Sequence, residues 1–291
     1  MHVRQAHEEN NAEYEAQPQA GAEPVKRGRA IVITSGKGGV GKTTTTANLG
    51  TALAQRGASV VLVDADVGLR NLDIVLGLES RVKYHLLDVL EEAAELDDAL
   101  VRDKHSENLH LLAAAQAREK DEVDTEAMCD LIDELRERFD YVLIDCPAGI
   151  ELGFKNAVAG ADEAIVVCTP EVSAVRDVDR VVGLLGNAFR PQLVINRLRP
   201  ALVKKGKMLS VDDVNAILRL PLLGVIADEP EIIVTTNRGE PLALRRDEPT
   251  GAAYHAIAAR LAGEDVPAPM PPEAKESFFE RLGSLFGGKR S

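Results

Sequence analysis

The chain has 291 residues and a formal net charge of −13, and 45% of its residues are hydrophobic. A surface of that charge repels nucleic acid unless basic residues cluster locally, and no apolar run approaches the ~20 residues needed to cross a bilayer. With no Trp, 4 Tyr and 6 Phe, we expect a core of Val, Ile, Leu and Ala, which is typical of a parallel sheet covered on both faces.

Residues 1–28 are polar, show no hydrophobic periodicity and lack the apolar core of a signal peptide. We predict a disordered extension over this range. The three cysteines, Cys129, Cys146 and Cys168, lie far apart without metal-ligand spacing. Such sparse cysteines favour a reducing compartment and structural roles as small buried hydrophobes.

Residues 29–262 alternate short β-branched runs with amphipathic segments, without a linker-like break, and we predict one domain there. The alternation indicates βαβ units and an α/β fold, a doubly wound, mostly parallel sheet with helices on both faces. Ligands of such folds bind at the carboxyl ends of the strands. The predicted strands are 30–34, 60–63, 109–112, 141–144, 164–168, 193–195 and 222–226, and the predicted helices include 43–56, 126–138, 175–187 and 211–218.

A glycine-rich loop between the first strand and the first helix matches the full phosphate-binding pattern, Gly36-x-x-x-x-Gly41-Lys42-Thr43. Glycines allow consecutive backbone N–H groups to curl around phosphate oxygens, and the helix N-terminus adds partial positive charge. In this pattern Lys42 reaches the β- and γ-phosphates and the Thr43 hydroxyl binds Mg²⁺. We therefore predict a nucleotide hydrolase whose loop comprises Gly36, Lys37, Gly38, Gly39, Val40, Gly41, Lys42, Thr43 and Thr44.

Two further strands end in carboxylates, where a phosphate-loop enzyme needs them. Asp145 closes the strand 141–144 in the arrangement that supports Mg²⁺. Asp64 and Asp66 follow the strand 60–63 and, two residues apart on extended chain, point the same way. We expect one of them to reach the metal shell and the other to orient the attacking water, with capping of the next turn as the alternative.

The second lysine of the loop, Lys37, is absent from an ordinary phosphate loop, and the stretch KGGVGKT resembles the deviant Walker A ATPases. That family includes the ParA, MinD and nitrogenase iron protein ATPases. The resemblance implies that Lys37 reaches the phosphates of a partner subunit, and that ATP closes a homodimer.

Other stretches are similar to the MinD branch of this family: residues 64–73 (DADVGLRNLD), 145–151 (DCPAGIE), 171–177 (EVSAVRD) and 208–213 (MLSVDD). The likeness implies that Lys37, Lys42 and Asp66 are catalytic, with Asp66 polarising the attacking water. It implies that Thr43, Asp64 and Asp145 support Mg²⁺ and that Asn196 reads the adenine of ATP. Arg176 and Asp177 are then expected near the dimer and partner surface.

The last 29 residues differ from the rest, with a Pro-rich linker over 263–273 and a tail over 274–291. The tail holds three of the six phenylalanines, and its apolar residues follow one helical stripe flanked by basic residues. We predict an amphipathic membrane-targeting helix, as in the MinD family, and weigh it against a helix docked on the core. The predicted membrane residues are Phe278, Phe279, Leu282, Leu285 and Phe286.

Taken together, the resemblance implies an ATP- and Mg²⁺-dependent ATPase that selects the cell-division site from the cytoplasm. It would dimerise with ATP, bind the anionic inner face of the cell membrane peripherally, and recruit the division inhibitor MinC. A topological factor, either MinE or a MinJ/DivIVA-like system, is the other expected partner.

Four alternatives are less favoured, and the lack of a second suitably placed cysteine rejects the iron–sulfur one. A flagellar-number ATPase of the MinD-like group also bears an amphipathic tail, whereas a ParA-type partition ATPase binds DNA, which the charge of −13 disfavours. An iron–sulfur protein of the nitrogenase type needs a second suitably placed cysteine besides Cys146. A GTPase needs an Asn-Lys-x-Asp guanine reader, and the stretch at Asn196 lacks its aspartate.

Overall fold

The computed structural model describes residues 27–115, 124–147, 149 and 152–271. The predicted extension, apart from its last two residues, and the predicted tail lie outside these ranges. None of the helices in the described ranges combines the length and apolar character that a bilayer-crossing helix needs.

The described residues form one eight-stranded sheet with the order β3-β4-β2-β5-β1-β6-β7-β8. All neighbouring strands are parallel except β3, which pairs antiparallel with β4 at one edge. The mostly parallel sheet confirms the predicted fold class, and the two-residue strand β3 was not predicted. The strands are β1 Arg29–Thr34, β2 Val60–Asp64, β3 Val101–Arg102, β4 Leu109–Leu112, β5 Tyr141–Asp145, β6 Glu163–Cys168, β7 Gln192–Leu198 and β8 Leu222–Ala227.

Helices connect the strands and cover the sheet on both faces. They are α1 Lys42–Gln55, α2 Leu72–Leu76, α3 Leu86–Leu90, α4 Leu96–Ala99, α5 Thr125–Arg138, α6 Leu152–Ala159, α7 Val172–Leu185, α8 Pro200–Lys204, α9 Val211–Leu218, α10 Glu231–Asn237 and α11 Pro249–Leu261. The acidic stretch 91–98 is a turn followed by the first residues of α4.

Alternate residues of each central strand point to opposite faces of the sheet, and both faces are buried. Val32 of β1 joins the core beneath α5, α7 and α9, while its neighbours Ile31 and Ile33 join the core beneath α1 and α11. A strand buried on both faces must be apolar at successive positions, which explains the continuous Val/Ile/Leu runs.

The register of the central strands aligns the polar residues at one edge of the sheet. Asp64 at the end of β2 lies directly beside Asp145 at the end of β5, and Asp145 pairs in register with Ile33 of β1. Since β1 leads directly into the glycine-rich loop, the loop and both carboxylates meet at this carboxyl edge. Such an edge is where open α/β sheets bind ligands.

Residues 263–271 form a strap that lies against β8, the edge strand at the other end of the strand order from β3. The Val225 N–H donates to the Pro269 carbonyl at 3.1 Å, and Arg260 of α11 bonds both Val266 and Leu222 carbonyls. The first nine residues of the predicted linker therefore contact the core as a strap.

Replacing Gly224 with Ala is expected to lower the free energy of unfolding by about 1–3 kcal/mol, the usual cost of overpacking. A Cβ at this position would lie 2.5 Å from Ile257 Cγ1 and 2.8 Å from Pro269 Cγ, so either α11 or the strap must shift. Urea denaturation of the full chain measures the effect. The control is Gly183→Ala on α7, where a Cβ meets nothing within 4 Å; equal midpoints for both variants would contradict the packing argument.

Candidate functional site

The first turn of α1 is built to receive an anion. The helix begins with no side-chain cap and no acidic residue in its first turn, and its N-cap residue Gly41 has φ 97° in the left-handed region. Uncapped N–H groups and the helix dipole together create partial positive charge at this point. The loop before α1 therefore presents backbone donors toward the carboxyl edge of the sheet, as a phosphate site requires.

Asn196 of β7 braces this loop from the side. Its carboxamide Nδ2 donates to the Val40 carbonyl at 2.8 Å, and its Oδ1 accepts from the Arg197 N–H at 2.9 Å. A Cβ on Gly41 would lie 2.3 Å from the same Nδ2, so only glycine fits there. Asn196 thus holds the loop in place, a contact that the sequence did not reveal.

The two lysines of the loop have different environments. Lys42 is buried, with 8% of its surface exposed, at the start of α1. Lys37 is exposed at the outer side of the loop, where its backbone carbonyl accepts from the Ser35 hydroxyl at 2.8 Å. Lys42 is therefore enclosed within this chain, whereas the Lys37 side chain is open to solvent.

The carboxylates of Asp64 and Asp145 are both buried at the ends of adjacent strands. Asp64 accepts from the backbone N–H groups of Asp66 at 3.0 Å and Leu72 at 3.2 Å, so it also ties the start of α2 to the end of β2. The capping alternative considered for Asp64 is therefore part of its role. Asp66, half-buried, follows in the same loop.

Burial raises the pKa of both carboxyls. For Asp64 the pKa rises because of desolvation and then the nearby charge of Asp145, against the two backbone hydrogen bonds. For Asp145 desolvation again raises the pKa, while the Thr43 hydroxyl and the charge of Lys42 lower it. Two buried carboxyls with these shifts are an arrangement that a divalent cation would relieve.

The oxygen donors around Asp145 fit Mg²⁺. The Thr46 hydroxyl lies 3.3 Å from Asp145 Oδ1, and the Thr43 hydroxyl also bonds this carboxylate. Mg²⁺ in nucleotide sites is held by one or two carboxylates together with water and substrate phosphates. Within the described ranges no group of three or more His, Cys, Asp or Glu side chains could hold a metal ion. A Mg²⁺ site on a nucleotide does not need three such side chains, because water and phosphate oxygens supply the other ligands.

The loop after β2 is anchored by an ion pair that the sequence did not predict. Arg70 Nε donates to the buried Asp73 carboxylate at 2.6 Å, and Arg70 has φ 46° in the left-handed region. A buried charge is tolerated when it is paired in this way. The pair fixes the backbone on the C-terminal side of Asp66.

A cleft of about 340 Å³ opens beside the start of α1. It continues from the phosphate loop past Asn196 toward the segment after β8, where Arg199 Nε and Asp228 Oδ2 are 2.5 Å apart. The cleft extends the phosphate site sideways, as a nucleoside would require. Its lining consists of Gly41, Thr44, Asn196, Arg197, Arg199, Asp228, Glu229, Pro230, Ile232 and Ile233.

The predicted phosphate loop and the carboxylates that follow β2 and β5 thus lie together at one edge of the sheet, while Arg176 and Asp177 lie beside them. Asp177 of α7 packs on the loop, since a Cβ on Gly36 would lie 2.3 Å from its carbonyl carbon. Arg176, its neighbour, is exposed. The cleft residues Ile232 and Ile233 were missed by sequence reasoning; their position just after the carboxyl end of β8 was the available signal.

Replacing Asn196 with Ala is expected to weaken nucleotide binding by about tenfold or more, because the Val40 carbonyl loses its brace and the loop its fixed geometry. Calorimetric titration with ADP and Mg²⁺ measures the affinity. The matched control is Asn108→Ala in an exposed loop. Unchanged affinity in the Asn196 variant would show that the loop holds its shape without this contact.

Without nucleotide, the free energy of unfolding is expected to fall as pH rises from 5 to 8. The folded chain holds protons on the buried carboxyls that the unfolded chain, with aspartate pKa near 4, has released. Asp64→Asn should flatten this slope, with each unit of raised pKa worth about 1.4 kcal/mol. Urea denaturation across pH measures it, and Asp98→Asn at an exposed site of α4 is the control. Parallel slopes for both variants and the unaltered chain would refute the effect.

Comparison with known proteins places this geometry in a family. Residues 28–193 match the AAA domain family. The septum site-determining protein MinD of Synechocystis is 55% identical over 242 residues, which are 82% of this chain and 91% of that protein. The structure of an Aquifex aeolicus MinC:MinD cell division protein complex is similar at 46% identity and TM-score 0.77, covering 84% of this chain and 100% of that one. MinD of Pyrococcus horikoshii complexed with Mg-ADP is similar at 33% identity and TM-score 0.73, with 82% and 99% covered. With its nucleotide-binding loop, its Mg²⁺-type donor set and these relatives, the chain belongs to the MinD family of cell-division ATPases and is an ATP hydrolase.

Proposed function

We propose that this ATPase works as a nucleotide-controlled homodimer that binds the inner face of the cell membrane and recruits a division inhibitor. The observation that carries the proposal is the contrast between the two loop lysines. Lys42 is buried at the start of α1, whereas Lys37 is exposed on the loop before it. A cation at the outer lip of the loop suits the phosphates of a second subunit, so the site becomes complete when two chains meet.

Within one chain, the described residues divide the work of hydrolysis. The uncapped N-terminus of α1 and Lys42 bind the phosphates, and the cleft beside Asn196 receives the adenosine. Thr43, Asp64 and Asp145 would hold Mg²⁺, and the bound ion would supply neutralisation of charge on the phosphate oxygens. Asp66 orients the water that attacks the γ-phosphorus, and the bond to the β-phosphate oxygen breaks to give ADP and phosphate.

The membrane arm of the proposal rests on the sequence of the tail, residues 274–291. One short helix with a few apolar residues binds an interface weakly, and a helix of this length is marginal alone in water. Two tails on one dimer bind together, and tethering raises avidity by roughly 10²–10⁴ without new contacts. ATP binding would therefore bring the protein to the membrane, and hydrolysis would release the protein from it.

The partner arm rests on the Aquifex aeolicus relative whose complex contains MinC and MinD. We infer that a MinC protein binds this chain when ATP has closed the dimer. The exposed face of α7 near Arg176 adjoins the loop through the contact of Asp177 with Gly36, so a change in the shape of the loop would reach this face. A topological factor, either MinE or a MinJ/DivIVA-like system, would then set where along the cell the ATPase resides.

Sedimentation with anionic vesicles tests the proposal. The ATP-bound chain is expected to bind at least about tenfold more tightly than the ADP-bound chain, because avidity needs two tails. Deletion of 274–291 should abolish binding, and Lys37→Ala should reduce ATP-dependent binding to the ADP level while leaving Mg-ADP affinity intact. Equal binding of the ATP form, the ADP form and the deletion would sink the proposal.

A further inference from the structure

An apolar groove of about 430 Å³ lies beside the point where the described chain ends. Its walls come from Pro200 and Val203 of α8, Val211 at the start of α9, and Met270 and Pro271 of the strap. Met270 is 56% exposed, a large apolar side chain with no cover on its outer side among the described residues. The groove shares no lining residue with the nucleotide cleft.

The strap fixes where the following chain must start. The bond from Val225 N–H to the Pro269 carbonyl and the two carbonyl contacts of Arg260 hold residues 263–271 on the core. Pro271, the last described residue, is itself part of the groove wall. The twenty residues 272–291 therefore begin at the lip of the groove.

We infer that this groove holds the apolar stripe of the chain's own tail whenever the tail is not in a membrane. Phe278 is seven residues beyond Pro271, so even a fully extended chain places it within ~25 Å, and a helical one closer. An apolar stripe of Phe278, Leu282, Leu285 and Phe286 matches an apolar groove between two helices.

Charges of both signs lie at the groove and on the tail. Lys204 and Asp212 line the groove, and the first half of the tail carries Lys275, Glu276, Glu280 and Arg281. The affinity of the tail for the groove therefore comes from its apolar side chains, and the mixed charges at the rim bear on its register alone.

The tether decides in favour of the chain's own tail over a free partner. A segment joined by a short linker has an effective concentration in the millimolar range at an adjacent site, so even a weak contact is populated. The same stripe cannot face the groove and a bilayer together, hence docking competes with membrane binding. Only this consequence rests on the proposed membrane function; the docking itself does not.

Hydrogen–deuterium exchange of the full chain with ADP tests the docking. Backbone amides of 275–287 are expected to exchange about tenfold or more slowly than in an unstructured peptide. Val203→Asp in the groove should restore fast exchange in the tail. Ile217→Asp, on α9 at a site 54% exposed and outside the groove, is the matched control and should leave the protection unchanged. The reciprocal variant, Phe278→Asp, leaves every groove residue unaltered and should accelerate exchange in the peptides covering 200–211.

The outcomes separate docking from membrane binding. Fast tail exchange in the unaltered chain, or equal protection in the Val203 and Ile217 variants, would overturn the inference. If docking holds about 90% of tails, Val203→Asp should raise vesicle affinity in ADP by about tenfold, since apparent affinity scales with the competent fraction. If no variant binds vesicles, the membrane function fails while the exchange data still decide the docking.

Discussion

The contact between the Asn196 carboxamide and the phosphate loop is the constraint on which the site depends. It comes from the end of β7, two strands away from β1, and it reaches both the Val40 carbonyl and the space that a side chain at position 41 would fill. Because Gly41 has no Cβ, it adopts the left-handed conformation that starts α1 without a cap. The unfilled donors of that first turn are what make the loop an anion site.

The carboxyl edge of the sheet shows how function opposes stability. Two buried carboxyls side by side, with pKa values raised by desolvation, are unfavourable in the empty protein. The backbone N–H groups of Asp66 and Leu72 offset part of that cost, and Arg70 with Asp73 fixes the adjoining loop. The surrounding sheet, buried on both faces, supplies enough stability for the fold to tolerate this cost. A bound cation would be ligated by the two carboxylates and would remove their mutual repulsion.

The sequence predicted those parts that are encoded locally. The phosphate loop lies within eight residues, and both carboxylates follow apolar runs directly, so strand, loop and helix could be recognised together. Strand bounds agreed closely, as for 60–63 against Val60–Asp64. The two-residue strand β3 is too short for a periodic pattern. The cleft lining after β8, the Arg70–Asp73 pair and the docked strap depend on contacts that form only after folding, between positions that no local pattern links.

The strap has a consequence for how copies of this chain meet. Without it, β8 would be an open sheet edge, with backbone donors able to recruit a strand from another molecule. Pro267, Pro269 and Pro271 lack a backbone N–H, so the segment that covers the edge offers no regular ladder of its own. The sheet therefore ends there rather than extending into a filament. The strap thus makes this edge a poor template for backbone pairing with a second copy of the chain.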